Sequence, residues 1–454
     1  MSVTPENRLL FWFGAIVVPF ALVGAAEPGA WSISIAIIAV LAIIVILDAL
    51  QAPRRLAGID VSLPLVARMS RNRPARVEVR VRNLARTAAH LRLALAFPSG
   101  IESPQEHTTV ILPENTEWSQ FSWPCVPIAR GRHAITAAYV GTSSRLGFWS
   151  VRKRVETQSE LRVYPNLSRD RRELAALFLH RSGIGLHAQR QIGRGRDFEK
   201  LREYIPGDGY DEIHWKATAK RGHPITKVFQ IERTQEVYVV IDAARLSGRQ
   251  IPEQALAEGK IVGASPTTTL DRFITVALTL GLATEQQGDL FGLLSFSNKV
   301  DNFVRARNGK AHYSACRDVL YRLQSQEVSP DFDEVFTFIR LRLRHRALLI
   351  FLTALDDPVL AESFVRNIEL IYRQHIVLVN MVQPPGIGRL FSDPQVSSMD
   401  DLYRRLGGHL QWQNLRELQK VLERRGVRFG LLKNERLSAE LVSQYLDVKR
   451  RQAL

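Results

Sequence analysis

The sequence has 454 residues, of which 46% are hydrophobic and 23% are charged. This length and composition are typical of a folded chain of two or three domains and exclude an intrinsically disordered protein. The formal net charge of +16 predicts a basic surface, which favours lipid headgroups, acidic protein surfaces or nucleic acid as partners.

Two nearly uncharged apolar runs, Leu9–Ala26 and Trp31–Leu50, open the chain. Each has the roughly 20 residues that a helix needs to cross a bilayer, and the link at 27–30 is short. We therefore predict a transmembrane helical hairpin rather than a cleaved signal peptide, because a second apolar run follows the first at once. Arg54 and Arg55 follow the second run, so the positive-inside rule places the rest of the chain in the cytoplasm.

Apolar and polar residues alternate between residues 56 and 165, as in Ala75–Asn83. A period of two indicates strands with one buried face. Six to eight short strands over this length predict a β-sandwich that resembles an immunoglobulin-like module. The cysteines Cys125 and Cys316 are far apart and lack metal-site spacing, so we expect both to be reduced structural residues.

The last part of the chain alternates apolar runs of strand length with helical segments. This pattern predicts a doubly wound, mostly parallel α/β sheet. Among its helices, Asp400–Arg425 is expected to break near Gly407 and Gly408. The predicted domains are a transmembrane helical hairpin at 1–55, a β-sandwich domain at 56–165, a connecting segment with a motif at 166–234, and an α/β domain at 235–454.

Ligand sites of parallel sheets lie beyond the carboxyl ends of the strands, and Asp242 ends the first strand of this domain. An aspartate there resembles the metal site of von Willebrand factor A domains, which begins with Asp-x-Ser-x-Ser. The two serine positions are Ala244 and Leu246, whose side chains cannot bind a hard cation. We predict a degenerate site without metal or cofactor, in which Asp242 caps a loop or a helix, and we interpret Asp356-Asp357 as a solvated turn.

The connecting segment contains the stretch GRGRDFEKLREYIPGDGYDEIHWKATAKRG, residues 193–222. It lacks the third glycine of a dinucleotide fingerprint and the Gly-Lys-Ser/Thr of a P-loop. Its acidic residues match its basic ones, which argues against nucleic acid as a partner.

Within this stretch, Phe198, Leu201 and either Tyr204 or Ile205 recur at helical spacing and predict a short amphipathic helix. A turn follows at Pro206–Gly209. A second predicted helix has Asp211 as its N-cap and Trp215 as its anchor. Two interpretations stay open: the stretch is a clasp between two domains, or it is a surface on which a partner docks.

This stretch resembles the signature of the bacterial domain of unknown function 58 family. The residues that carry the resemblance are Gly193, Gly195, Phe198, Leu201, Arg202, Tyr204, Gly207, Asp208, Ile213, Trp215, Lys216 and Ala219. The hairpin and the segments Ala129–Trp149 and Arg162–Leu167 are also similar to the family, whereas Glu212, His214 and Lys220 depart from its pattern.

The resemblance implies a von Willebrand factor A-like fold after the motif and a setting beside a MoxR-type AAA+ ATPase, often with a transglutaminase-like membrane protein. It also implies a role in the assembly or maturation of envelope or metal-containing proteins. We therefore predict a multi-pass protein of the bacterial inner membrane that faces the cytoplasm and acts as a scaffold or adaptor, not as an enzyme.

Two other functions remain as alternatives. One is a hydrolase or transferase, for which the only support is a group of histidines near the motif: His180, His187, His214 and His223. It requires a pocket that unites two of them with a carboxylate. The other alternative is a metal-dependent adhesion domain built around Asp242.

Overall fold

The computed structural model describes residues 1–86, 89–182, 192–206, 209–210, 213–230, 235–251, 267–390 and 398–451. The chain forms two compact units, of which the first contains Met1–Asn166 and the second contains Leu167–Gln254 and Pro266–Leu454. The hairpin thus belongs to the same unit as the β-rich segment, and the segment with the motif belongs to the unit with the α/β sheet.

An apolar helical hairpin follows a short first strand. These elements are β1 (Ser2–Pro5), α1 (Asn7–Trp12), α2 (Val18–Ala26) and α3 (Trp31–Gln51). A π-helical turn joins α1 to α2, so the first arm is continuous over 20 residues with a mean hydropathy of 2.3, and the second arm reaches 3.0. Both arms are long and apolar enough to cross a membrane, as the sequence predicted.

The rest of the first unit is built from strands. They are β2 (Ile59–Ser62), β3 (Val66–Ser70), β4 (Ala75–Asn83), β5 (Ala89–Leu95), β6 (Ile101–Glu102), β7 (Thr108–Leu112), β8 (Trp118–Pro127), β9 (Gly131–Ser143) and β10 (Trp149–Tyr164). One sheet has the order β1-β10-β9-β5-β7, with β3 beside β10, and the other has the order β2-β4-β8-β6. Alternate residues of both sheets, including Val79 and Leu93, enter one shared core around Trp123, which is the two-layer arrangement that the period of two predicts.

The second unit begins with the motif segment and continues into alternating strands and helices. Its elements are α4 (Ser168–Ser182), β11 (Ile192–Glu203), α5 (Trp215–Arg221), β12 (Ile225–Gln230), β13 (Glu236–Asp242), β14 (Gln250–Ile251), β15 (Thr267–Thr268), α6 (Thr269–Gln286), β16 (Leu290–Phe296), β17 (Val300–Arg307), α7 (Lys310–Leu320), α8 (Phe332–Arg342), β18 (Leu348–Leu352), α9 (Pro358–Asn367), β19 (Ile376–Val382), α10 (Met399–Arg424), β20 (Arg428–Leu432) and α11 (Leu437–Arg450).

A six-stranded sheet with the order β17-β16-β13-β18-β19-β20 forms the centre of this unit. All neighbours are parallel except β17, which runs antiparallel to β16. Val237, Val239 and Ile241 face one core with α6 and α11, whereas Tyr238 and Val240 face another with α8, α9 and α10. Burial on both faces explains the continuous apolar runs of the sequence and confirms the predicted doubly wound sheet.

Helix α10 differs from the prediction, because it continues through Gly407 and Gly408 for 26 residues. The reason for Gly408 is tertiary packing, since a Cβ atom at that position would overlap the carbonyl oxygen of Gly386. A glycine in this helix therefore permits a close backbone approach and does not end the helix.

Candidate functional site

The family motif folds around strand β12. Strands β11 and β12 pair antiparallel, so that Leu201 lies opposite Lys227 and Glu203 opposite Ile225. Ile213 forms a bridge with Thr226, and the next residue donates its backbone N–H to the carbonyl of Ile225 at 2.7 Å. Ile213, Ile225 and Thr226 are all buried, and they form the fixed centre of the motif.

The predicted amphipathic helix over Phe198, Leu201 and Tyr204 is wrong, because the chain is strand β11 as far as Glu203. Pairing with β12 overrides the helical spacing, as tertiary contacts override local propensity. Gly193, Gly195, Phe198 and Arg202 lie on this strand as well, and Tyr204 follows it, donating its backbone N–H to Pro224 O at 3.0 Å. Gly207 and Asp208 fall outside the described residues.

The second predicted helix is present as α5, but it begins at Trp215. Its N-cap is His214, whose Nδ1 accepts from the backbone N–H of Ala217 at 3.0 Å. The predicted N-cap, Asp211, lies outside the described residues. Gly222 ends the helix in the left-handed conformation with φ 75°, which is the usual role of glycine at that place.

Trp215 does not anchor this helix, because 64% of its surface is exposed. Tyr210 is 78% exposed, and Leu201 and Ile205 are exposed too. Lys216 and Lys220 lie on the same helix as Trp215 and are also exposed. We call these six residues the motif surface. Exposed aromatic side chains beside cations are typical of the residues that contribute most of the binding energy at protein interfaces.

The two described histidines of the motif serve separate local contacts. His214 caps α5 as above, and His223 Nε2 lies 3.4 Å from Glu203 Oε1 in an exposed pair. The side chain of His180 and all of His187 fall outside the described residues. In the part of the motif that the structure describes, the histidines therefore do not assemble the pocket that a hydrolase requires.

Asp242 lies at the carboxyl end of β13. The strands of this sheet that follow β13 in the chain are added first on one side of it (β16, β17) and then on the other (β18, β19, β20). The side chain of Asp242 is 1% exposed. Oδ1 accepts from the backbone N–H of Ala244 at 2.8 Å, and Oδ2 accepts from Thr353 Oγ1 at 2.7 Å. Burial raises the pKa of Asp242 to about 6, although these hydrogen bonds oppose the shift. Asp242 thus caps a loop, as expected.

Ala244 and Leu246 occupy the two serine positions of the von Willebrand factor A metal site. Both side chains are apolar, and both are buried. Asp356 pairs with Arg249, and Asp357 is the N-cap of α9, where Oδ1 accepts from Val359 N at 2.9 Å. Within the described ranges, no three His, Cys, Asp or Glu residues are grouped as metal ligands.

Both cysteines are buried, and burial raises the pKa of each thiol to about 11. Cys316 Sγ lies 3.5 Å from His312 Nε2. That nitrogen also lies 2.8 Å from the carbonyl oxygen of Phe291, which can only accept a hydrogen bond. His312 therefore carries its proton on Nε2 and cannot deprotonate Cys316.

Residues 200–389 match the family model described as "Protein of unknown function DUF58". The chain is therefore similar to the DUF58 family over these residues, which we call the DUF58 region. The DUF58 region includes the motif from Leu201 onward and the sheet as far as β19, whereas Gly193, Gly195 and Phe198 precede it. Its doubly wound sheet agrees with the von Willebrand factor A-like fold that the resemblance predicts.

No curated protein matches the chain. Among solved structures, it is similar to an aerotolerance-related membrane protein from Bacteroides fragilis, at 10% identity, 46% of this chain, 97% of that chain and a TM-score of 0.30. It is similar to the conserved hypothetical protein BatB from Bacteroides thetaiotaomicron, at 11% identity, 48% of this chain, 99% of that chain and a TM-score of 0.29. A third is the SpRpn10 VWA domain, at 8% identity, 46% and 95% coverage and a TM-score of 0.27.

One exposed surface outside the DUF58 region was missed by the sequence analysis. Met399, Leu402, Leu406 and Leu410 are exposed along α10. Their spacing of three and four residues places them on one face of the helix. This spacing was visible in the sequence, but spacing alone does not distinguish an exposed apolar face from a buried one.

Proposed function

We propose that this protein is a membrane-anchored scaffold or adaptor that presents its DUF58 region to a partner protein and performs no catalysis itself. The observation that carries this proposal is the exposure of Trp215 and Tyr210 on a motif whose backbone is fixed by strand pairing. A residue that only clasped the fold would be buried, as Ile213 is. We infer a MoxR-type AAA+ ATPase as the partner, because the family resemblance implies that setting.

We infer that the hairpin crosses the bacterial inner membrane twice and that both units lie in the cytoplasm. The two apolar arms and the pair Arg54 and Arg55 directly after them support this topology. We also infer an immunoglobulin-like sandwich in the first unit, supported by its two sheets around one core. The implied process is the assembly or maturation of envelope or metal-containing proteins, and a transglutaminase-like membrane protein is a further inferred partner.

Trp215→Ala is expected to abolish capture of the AAA+ ATPase while changing the free energy of unfolding by less than about 0.5 kcal/mol, because the side chain is exposed. Crosslinking in cells followed by affinity capture measures this. Tyr403→Ala is the matched control, since Tyr403 is similarly exposed but lies on α10, and it should leave capture intact.

Ile213→Ala is the control for stability, as opposed to docking. Truncation of this buried side chain should lower the free energy of unfolding by about 2–4 kcal/mol. Equal capture by the parent and by Trp215→Ala at matched abundance would reject the motif surface as the docking site. Unfolding of Trp215→Ala would favour the clasp instead.

Mg²⁺ or Mn²⁺ is expected to leave the thermal unfolding temperature of the full chain unchanged. Both carboxylate oxygens of Asp242 already accept hydrogen bonds from the protein, and a bound ion would stabilise the folded state by mass action. Differential scanning fluorimetry with saturating metal, against the same ionic strength of NaCl, measures this. A rise of the unfolding temperature with either metal would restore the adhesion alternative.

A further inference from the structure

The base of the hairpin is fixed to the first unit by the loop between β9 and β10. Asp48, near the end of α3, is buried; it accepts from Ser144 Oγ at 2.6 Å and from the backbone N–H of Leu146 at 3.2 Å. Trp149 Nε1 donates to the carbonyl of Val45 at 3.0 Å. At the start of α1, strand β1 pairs with β10. Both arms therefore leave the sheet at one level, which is where the bilayer surface lies if the hairpin is inserted.

A cavity of about 530 Å³ opens at this level. Four arginines from four different elements line it: Arg8 of α1, Arg55 directly after α3, Arg92 of β5 and Arg145 of the loop. We call this cavity the basal pocket. Its volume falls in the usual range of small-ligand sites, about 300–1,000 Å³.

The positive charge of the basal pocket is largely uncompensated. Among the described residues, Glu6 is the one acidic residue that lines it, and Glu6 Oε1 accepts from Ser143 Oγ at 2.8 Å. Arg55 donates to the carbonyl of Ser143 at 3.2 Å. Within the described part of the chain, Arg92 and Arg145 form no ion pair and no side-chain hydrogen bond. Guanidinium groups gathered in this way bind phosphate through paired hydrogen bonds.

Gly147 shapes the pocket around Arg8. Its φ is 77°, and a Cβ atom there would lie 3.0 Å from a guanidinium nitrogen of Arg8. Glycine thus permits the loop conformation and leaves room for the guanidinium group to lie against the backbone. The loop contributes Arg145 to the pocket and an exposed apolar side chain, Leu146, beside it.

We propose that the basal pocket binds the phosphate of an anionic phospholipid headgroup in the leaflet at the base of the hairpin. The position of the pocket favours lipid over soluble phosphate, because exposed apolar side chains are close to its arginines in the chain: Leu146 follows Arg145, and Leu10 lies two residues after Arg8. Both side chains are suited to contact acyl chains. Basic residues at the membrane surface attract anionic lipids. This site rests on the proposed insertion of the hairpin.

The test is native mass spectrometry of the full-length protein released from nanodiscs of phosphatidylcholine mixed with phosphatidylglycerol. The parent is expected to retain phosphatidylglycerol in preference to phosphatidylcholine. Arg92→Gln/Arg145→Gln is expected to lose about 25-fold of that preference, at about fivefold for each arginine near an anionic surface. Both side chains are exposed, and among the described residues neither forms a hydrogen bond or an ion pair, so the variant should remain folded.

The control variant is Arg73→Gln/Arg76→Gln, which removes the same charge from exposed positions. Arg76 lies on β4 seven residues from Asn83, which pairs with Ile59 just after the hairpin, so it lies about 23 Å from that end of the strand. This control should keep the preference. An equal loss of lipid preference in both variants would show that the preference depends only on net charge, and it would overturn the site.

Three further outcomes distinguish the source of the phosphate and the reason for a negative result. Stabilisation by inorganic phosphate in phosphatidylcholine nanodiscs, equal to that by phosphatidylglycerol and lost in Arg92→Gln/Arg145→Gln, would overturn a lipid in favour of a soluble anion. Parent protein that inserts without lipid preference would overturn the pocket alone. Parent protein that does not enter nanodiscs would overturn the proposed insertion and the pocket with it.

Discussion

Lys449→Met is expected to lower the free energy of unfolding of the second unit by about 3–5 kcal/mol, because it leaves a buried carboxylate without its cation. Asp289 is 1% exposed, and Lys449 Nζ donates to its Oδ2 at 2.8 Å. Gln235 N donates to Oδ1 at 3.2 Å, and Tyr445 donates to Oδ2. Burial and the adjacent carboxylate raise the pKa of Tyr445, so its hydroxyl stays a donor.

Methionine oxidation across a denaturant series, with each methionine followed by mass spectrometry, measures this prediction. Met381 is buried in the second unit and Met69 in the first, so each reports one unit. The midpoint at Met381 should fall and that at Met69 should not. Arg450→Met, on the same helix but exposed, should leave both midpoints unchanged, and an equal effect of both variants would contradict the role of the buried pair.

The Asp289–Lys449 pair shows which features the sequence does not reveal. Local patterns identified the hairpin and the strands β4 and β13, because periodicity and apolar length depend only on neighbouring residues. The partners Asp289 and Lys449 are 160 positions apart, and Lys449 has the appearance of an ordinary exposed cation on a helix. Only the docking of α11 against the end of α6 brings the two side chains together.

The errors in the motif and in α10 have the same origin. The spacing of Phe198 and Leu201 fits a helix, but pairing with β12 makes the segment a strand. Gly408 resembles a helix break, yet it faces the backbone of Gly386. In each case a contact with a distant segment decides the outcome, and a single sequence does not specify that contact. The basal pocket was missed for this reason too, since its arginines come from four elements.

At the metal-like position, by contrast, residue chemistry alone predicted that Asp242 caps a loop or a helix. Ala244 and Leu246 offer no oxygen ligands, so Asp242 needs partners from the protein if it is to be buried. Those partners are the backbone N–H of Ala244 and the hydroxyl of Thr353. Thr353 directly follows β18, which pairs with β13, so the sheet brings its hydroxyl to Asp242 for the second hydrogen bond.

Asp242→Asn is expected to gain about 3 kcal/mol of stability relative to the parent between pH 4 and pH 7. Burial raises the pKa of Asp242 from 3.8 to about 6, so the folded state binds the proton more tightly than the unfolded state. The contribution of this group to stability is therefore fully present below about pH 4 and is lost as the pH rises through about 6. Asparagine does not ionise, and it retains an acceptor for Ala244 and gains a donor toward Thr353.

The same methionine oxidation experiment, repeated at several pH values, measures the difference between parent and variant at Met381. Asp333→Asn is the control, because it makes the same change of side chain at an exposed position on α8. A stability difference that stays constant from pH 4 to pH 7 for Asp242→Asn would show that Asp242 ionises as freely in the folded protein as in the unfolded chain. Its burial would then not control its charge, and the case for a purely structural cap at this end of the sheet would fail.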